Sequence, residues 1–272
     1  MTTTPADHLA QVQASFDAAS DPRTAEIMRA AVAHLHAFVA EVGLTRDEWF
    51  AAVDFLTRVG QMCDGQRQEV ILLSDTLGVS MLVEMLNHAG APGTTEPTVF
   101  GPFHVDGAPE RPHGASIVED ASAAGEPLTV RGRVRDQDGR PLPGARLDVW
   151  QTAPNGLYDV QDPTQPAMNL RGVFTAGDDG AYEFRTVRPV AYPIPDDGPV
   201  GEMLRATGRH NWRPAHIHFV VTAPGHKPVI THVFDRASRY LDDDAVFGVR
   251  PSLVLDMDGG STVFDPVLER LP

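Results

Sequence analysis

A chain of 272 residues with 42% hydrophobic content has enough apolar side chains for one large or two ordinary packed domains. Its formal charge of -15, with 22 Lys and Arg scattered among 37 Asp and Glu, excludes a nucleic-acid partner, because phosphate backbones are held by dense positive charge. The lone cysteine, Cys63, forms no intramolecular disulfide, no apolar run reaches the ~20 residues of a membrane span, and Met1 to Asp21 lacks the regions of a signal peptide, so a cytoplasmic protein is expected.

In chain order, Ala6 to Ala19 predicts a short helix ending at Ser20. Ser20 or Asp21 caps the next one, Pro22 suits its first turn, Gly43 ends it, and Ile27, Ala31, Leu35, Phe38, Val39 and Val42 form one stripe. That stripe serves either an interface or an intramolecular core. Thr45-Arg46-Asp47-Glu48 is a capping-box pattern before a third helix carrying Trp49, Val53, Leu56 and Gly60. Gln68 to Asn87 is apolar around much of its circumference, which predicts a helical element buried on more than one side and broken near Ser74-Asp75 or Gly78.

Between Ala89 and Pro127, Gly101-Pro102, Ala108-Pro109 and Arg111-Pro112 disfavour helix and predict an extended connection. Beyond it the apolar period falls from 3.6 to 2. Leu128 to Val134, Ala145 to Trp150, Ala181 to Thr186, His216 to Val221 and Val229 to Phe234 read as strands of an antiparallel β-sandwich. The expected class is α+β, with a helical domain over 1–100 and a β-sandwich domain over 101–272.

Within Arg213-Pro214-Ala215-His216-Ile217-His218-Phe219, strand alternation puts His216 and His218 on one face, roughly 6–7 Å apart at the backbone, where two imidazoles can share a metal. His34 and His36 have the same spacing, but on a helix they lie about 200° apart around the axis, so they read as a solvated face. Of the four tyrosines, Tyr158 and Tyr192 stand in loops able to present a side chain inward, whereas Tyr182 and Tyr240 suit packing or surface roles. His226, after Pro224-Gly225, reads as a turn cap.

Leu147-Asp148-Val149-Trp150-Gln151, Gly156-Leu157-Tyr158, Tyr192-Pro193-Ile194-Pro195 and Arg213-Pro214-Ala215-His216-Ile217-His218 together resemble the intradiol ring-cleaving dioxygenases, and the resemblance covers most of the chain. It implies a mononuclear non-haem Fe(III), one per subunit, held by Tyr158, Tyr192, His216 and His218. Phenolates are hard anionic donors that favour Fe(III) over Fe(II). The resemblance further implies that Tyr192 is released when an aromatic diol chelates and takes part in proton removal, and that Arg213 faces the substrate ring. The co-substrate is O2, and a homodimer with a phospholipid between its N-terminal helices is expected by analogy.

Within the family, Leu157-Tyr158-Asp159-Val160-Gln161, Tyr192 to Gly201 and Tyr240 to Val249 look most like the hydroxyquinol-cleaving branch. His232 stands where catechol-cleaving members usually carry glutamine. The resemblance places Leu72, Asp75, Val99, Phe100, Gly101, Pro102, Phe103, Ile194, Pro195 and Val246 around the substrate. Asp75, a carboxylate in an apolar helix, is either the acceptor for a third ring hydroxyl or a helix-end cap. A catechol or substituted-catechol dioxygenase is the alternative activity, and a non-catalytic β-sandwich binding module the alternative class.

Overall fold

The first helices begin where side-chain oxygens satisfy free backbone amides. Thr4 and Asp7 form a capping box at α1 (Pro5–Ala14), and Asp21 accepts from the amides of Arg23 and Thr24 at α2 (Pro22–Val42), which Gly43 ends in the left-handed region. Thr45 and Glu48 bond reciprocally at the start of α3 (Arg46–Gln61). Two shorter helices follow, α4 (Glu69–Thr76) and α5 (Val79–Asn87), separated by Leu77 and by Gly78 at φ 72°. The computed structural model describes residues 3–65, 67–88, 91–119 and 125–271. It divides into two compact units, Met1–Arg58 and Val59–Pro272.

In the first unit α1 packs on α2, with the Gln13 side-chain amide donating to the Arg29 carbonyl at 3.2 Å and His8 stacked on His36. Pro5, Leu9, Ala33, Ala37 and Val39 line a groove of about 650 Å³. α1 stops at Ala14, short of the expected Ala19, because a turn over 15–18 replaces its last coil. The stripe on α2 faces outward: Ile27, Leu35, Phe38 and Val42 are all exposed.

In the second unit α4 and α5 also differ from expectation. Glu69, Leu72, Asp75, Thr76 and Met81 are buried, while Val70, Ile71, Leu77, Leu82 and Leu86 are exposed. Among the described residues of this unit the apolar circumference of the segment is therefore covered on one side only. The predicted extended connection has no helix among its described residues and bridges the sheets at Glu110 and Ser116; its residues 89, 90 and 120–124 lie outside the described ones.

The strands are β1 (Pro127–Arg133), β2 (Arg135–Asp136), β3 (Arg146–Trp150), β4 (Arg171–Thr175), β5 (Ala181–Val187), β6 (Tyr192–Pro193), β7 (Trp212–Arg213), β8 (His216–Thr222), β9 (Val229–Asp235), β10 (Val254–Leu255), β11 (Ser261–Val263) and β12 (Val267–Leu268). One more helix, α6 (Pro199–Ala206), lies between β6 and β7. A three-stranded sheet, β11-β1-β5, and a five-stranded sheet, β10-β9-β8-β3-β4, supply the core. The long strands pair antiparallel, whereas the short β10, β11 and β12 pair parallel, so the sandwich is mixed at its edges.

Ile217, Phe219 and Val221 of β8 point into this core with no exposed surface, beside Leu147 and Val149 of β3. Each such side chain contributes about 1.5–3 kcal/mol by burial, and a one-residue slip would turn all of them to the other face. The core thus fixes the register of β8, and with it the direction of His216 and His218.

Candidate metal centre

The face of the five-stranded sheet turned away from the core carries polar and aromatic side chains. Trp150 lies opposite His218 across β3 and β8, and His218 lies opposite His232 across β8 and β9. Trp150 stacks on His218 with ring centroids 4.6 Å apart. Gly101, at φ 78°, brings backbone against this row: a Cβ there would stand 3.1 Å from the His218 ring.

Four donor atoms converge on that face. The Tyr158 hydroxyl is 2.9 Å from His218 Nε2 and 3.1 Å from the Tyr192 hydroxyl, and His216 Nε2 is 3.2 Å from His218 Nε2. Tyr158 is held from the loop after β3 by Gln161, whose side-chain oxygen accepts from its amide, and Tyr192 comes from β6, which pairs with β7 beside Arg213. All four side chains are buried. His216 donates Nδ1–H to the Pro214 carbonyl at 2.6 Å, which leaves its Nε2 lone pair aimed at the cluster.

Donor atoms about 3 Å apart, around a common point, suit a first-row metal with bonds of about 2 Å. The two Nε2 atoms face each other at 3.2 Å, so without a cation only one of them can keep a lone pair there while the other donates its N–H; a metal lets both act as ligands. Burial pushes His216 and His218 well below the ordinary imidazole range, aided by Arg213, so both stay neutral and able to ligate. Burial, and then the neighbouring Tyr192, push Tyr158 well above the usual phenol range; a bound cation supplies the charge that would reverse this. The residues present therefore fit a cationic metal.

A third histidine belongs to the cluster. His216, His218 and His232 offer ligand atoms that all lie within 4.8 Å of one another, and His232 stacks on His216 at 4.7 Å. Sequence reasoning singled out His232 only for the residue it replaces. Its place beside His218 depends on the β8–β9 register, for which no local motif exists.

Arg213 is buried next to the donors. Its Nε and Nη2 donate to the two oxygens of Asp244 at 3.2 and 3.4 Å, and its Nη1 reaches His216 Nε2 at 3.2 Å. Burial opposes the charge, but Asp244 and the two tyrosines outweigh it and hold the guanidinium protonated. Asp244 also accepts from the amides of Val246 and Gly248, so one carboxylate ties Arg213 to a loop.

Of the predicted substrate residues, Leu72, Pro102, Phe103 and Pro195 line one cavity of about 220 Å³ together with Arg67, Glu69 and Val160, and Phe103 stacks on Tyr158 at 4.6 Å. Asp75 is buried within electrostatic reach of Arg213 and Asp244, and burial pushes its carboxyl up. Val99, Ile194 and Val246 are buried, and Phe100 is partly exposed and packs on His104 and Trp150; neither these four nor Asp75 and Gly101 line that cavity. Tyr182 donates to the Phe264 carbonyl at 2.7 Å, Tyr240 stacks on Trp212, and His226 bonds the Pro224 carbonyl in a turn, all apart from the donor cluster.

Residues 99–267 match the family described as Dioxygenase, and residues 21–95 match that described as Catechol dioxygenase N terminus. A 6-chlorohydroxyquinol 1,2-dioxygenase of Cupriavidus pinatubonensis is 56% identical over 86% of this chain and 84% of its own length. A hydroxyquinol 1,2-dioxygenase of a Rhizobium species is 54% identical over 87% of this chain and 80% of its own. The crystal structure of hydroxyquinol 1,2-dioxygenase from Pseudomonas putida DLL-E4 superposes with a TM-score of 0.91 at 48% identity, covering 98% of both chains. The chain belongs to the intradiol dioxygenase family, an α+β enzyme family of aromatic-ring cleavage. Among the described residues no helix is long and apolar enough to cross a membrane.

Proposed function

We propose that this chain is an Fe(III)-dependent dioxygenase that cleaves hydroxyquinol (1,2,4-trihydroxybenzene) between its two adjacent hydroxylated carbons, with Tyr158, Tyr192, His216 and His218 as the ligands of one iron per subunit. The observation that carries this reading is the approach of the Tyr158 hydroxyl to both His218 Nε2 and the Tyr192 hydroxyl within a buried cluster. The substrate class is supported by the names of the relatives at 54–56% identity. Fe(III), when bound, supplies the positive charge that turns both phenols into phenolates and the site at which a diol chelates.

The chain's own residues do the rest. Tyr158, His216 and His218 remain as fixed donors, while Tyr192 gives up its place and its oxygen takes a proton from the arriving diol. Arg213, held protonated by Asp244, faces the ring and stabilises electron density on the carbon that oxygen attacks, an effect on the order of 3 kcal/mol in a dry site. Burial of the donors keeps water out during this step. Asp75 accepts a hydrogen bond from the third hydroxyl, and Leu72, Pro102, Phe103 and Pro195 wall the approach.

The product is 3-hydroxy-cis,cis-muconate, which tautomerises to maleylacetate, and it carries both atoms of O2. Residues 101–272 form the catalytic part, and the helical part over 1–100 serves dimerisation, with the groove on α2 receiving phospholipid chains; the enzyme works in the cytoplasm. The outward apolar stripe of α2 supports this division. Turnover of hydroxyquinol under labelled dioxygen tests the reaction: the product gains two labelled oxygen atoms, with back-exchange controlled. A product with one labelled atom or none, or a semialdehyde from cleavage beside the diol, contradicts it.

A further inference from the structure

Beneath Tyr158 the chain does something energetically unfavourable three times over. Arg171 is almost wholly buried, 1% exposed, and its Nη1 has no hydrogen-bond partner among the described residues. The backbone leading to it takes left-handed conformations at two non-glycine residues, Met168 (φ 63°) and Leu170 (φ 59°), each costing on the order of 1 kcal/mol. Its counter-ion Asp159 is the residue after Tyr158: Arg171 Nε donates to Oδ1 at 2.8 Å, and Oδ2 accepts from the Met168 amide at 2.9 Å.

A buried ion pair is a weak source of stability, since well-packed apolar residues usually serve as well. Its position is more telling. Arg171 lies opposite Trp150 across β4 and β3, and Trp150 lies opposite His218, so the guanidinium ends the same row of side chains that carries the metal donors. Its central carbon stands 5.9 Å from the centre of the Tyr158 ring, within cation–π range, while Asp159 is turned to the Met168 amide.

We propose that Arg171, aligned by Asp159, is a positioning residue that holds Tyr158 as the weaker-donating, retained phenolate of the pair. This rests on the reading of Tyr158 and Tyr192 as the iron's phenolates. A fixed positive charge 5.9 Å from the centre of the Tyr158 ring lowers the energy of its phenolate electrons. The geometry is unequal for the pair: Arg171 stands over the Tyr158 ring, whereas Tyr192 lies opposite Arg213 across β6 and β7.

The visible phenolate-to-Fe(III) charge-transfer band of the loaded enzyme reads this directly, because a phenolate of higher electron energy absorbs at longer wavelength. Arg171→Met moves the band to longer wavelength, Asp159→Asn moves it to shorter wavelength, and Arg171→Lys, which keeps the charge, stays nearer the wild type than the Met variant. Should Arg171→Met not fold or not load iron, Asp159→Asn alone decides by the sign of its shift. Bands unchanged in loaded variants, or equal shifts in the Lys and Met variants, overturn the proposal and leave the pair a structural one. An iron-loaded wild-type protein with no such band would remove the phenolate centre itself.

Discussion

The two faces of the five-stranded sheet are built from the same strands and have opposite characters. Toward the core β8 presents Ile217, Phe219 and Val221, fully buried among other apolar side chains. On the reverse it presents His216 and His218 beside Trp150, His232 and Arg171. Both faces are buried, but the inner one carries nothing that needs water, whereas on the reverse Trp150 Nε1, His218 Nδ1, His232 Nε2 and Arg171 Nη1 have no hydrogen-bond partner among the described residues. The lesson is that the inner face makes the stability that holds the reverse face's donors about 3 Å apart, where a metal can replace the missing solvent.

Substitutions can break the two faces separately. The largest effect belongs to the reverse face: His218→Ala removes one of the four converging donors, so iron is lost and ring cleavage falls by more than about 10³-fold, beyond the 10–100-fold typical of an outer partner. Iron content by metal analysis and turnover measure this, while the melting temperature of the metal-free protein changes little. On the inner face the balance inverts. Phe219→Ala costs about 3–5 kcal/mol in chemical denaturation, and the folded fraction retains the ability to bind iron.

A smaller effect sharpens the picture at the edge of the site. Asp75→Ala lowers kcat/KM on hydroxyquinol by about 10-fold to 100-fold and leaves catechol nearly unaffected, because the lost bond is to the third hydroxyl alone. Equal losses on both substrates would make Asp75 a structural residue. The smallest effect is in pH dependence. Burial raises the Asp75 carboxyl above 3.8, although Ser80 and Arg213 pull it part of the way back. Between 3.8 and that raised value the folded state keeps a proton the unfolded state has lost, so this group's contribution to stability falls as pH rises through the window and stays lost above it. Asp75→Asn therefore gains more over the wild type at pH 7 than at pH 4, on the order of a few °C in melting temperature.

The parts of the molecule legible in the sequence are those written locally. Alternation in His216-Ile217-His218-Phe219 declares both the strand and which residues share a face, and Asp21-Pro22, Gly43 and Thr45 to Glu48 mark helix ends where the structure has them. Tyr158 and Tyr192 stand 58 and 24 residues before His216, and no spacing rule joins loops to strands across that distance; family resemblance supplied them. Asp244 and Arg171 were missed, and the place of His232 in the donor cluster with them, because each reaches the site through pairing or a loop return. The outward apolar faces of α2, α4 and α5 were unreadable for a different reason: a helical stripe states that a surface is apolar, and tertiary packing alone decides what covers it.

The central claim is that two tyrosines and two histidines on the reverse face share one metal. Anomalous diffraction at the iron edge from crystals of the loaded protein tests it most directly. The account predicts a single strong peak bonded to Tyr158 Oη, Tyr192 Oη, His216 Nε2 and His218 Nε2. A peak held instead by the histidine triad of His216, His218 and His232, with the tyrosine oxygens beyond bonding distance, would contradict it.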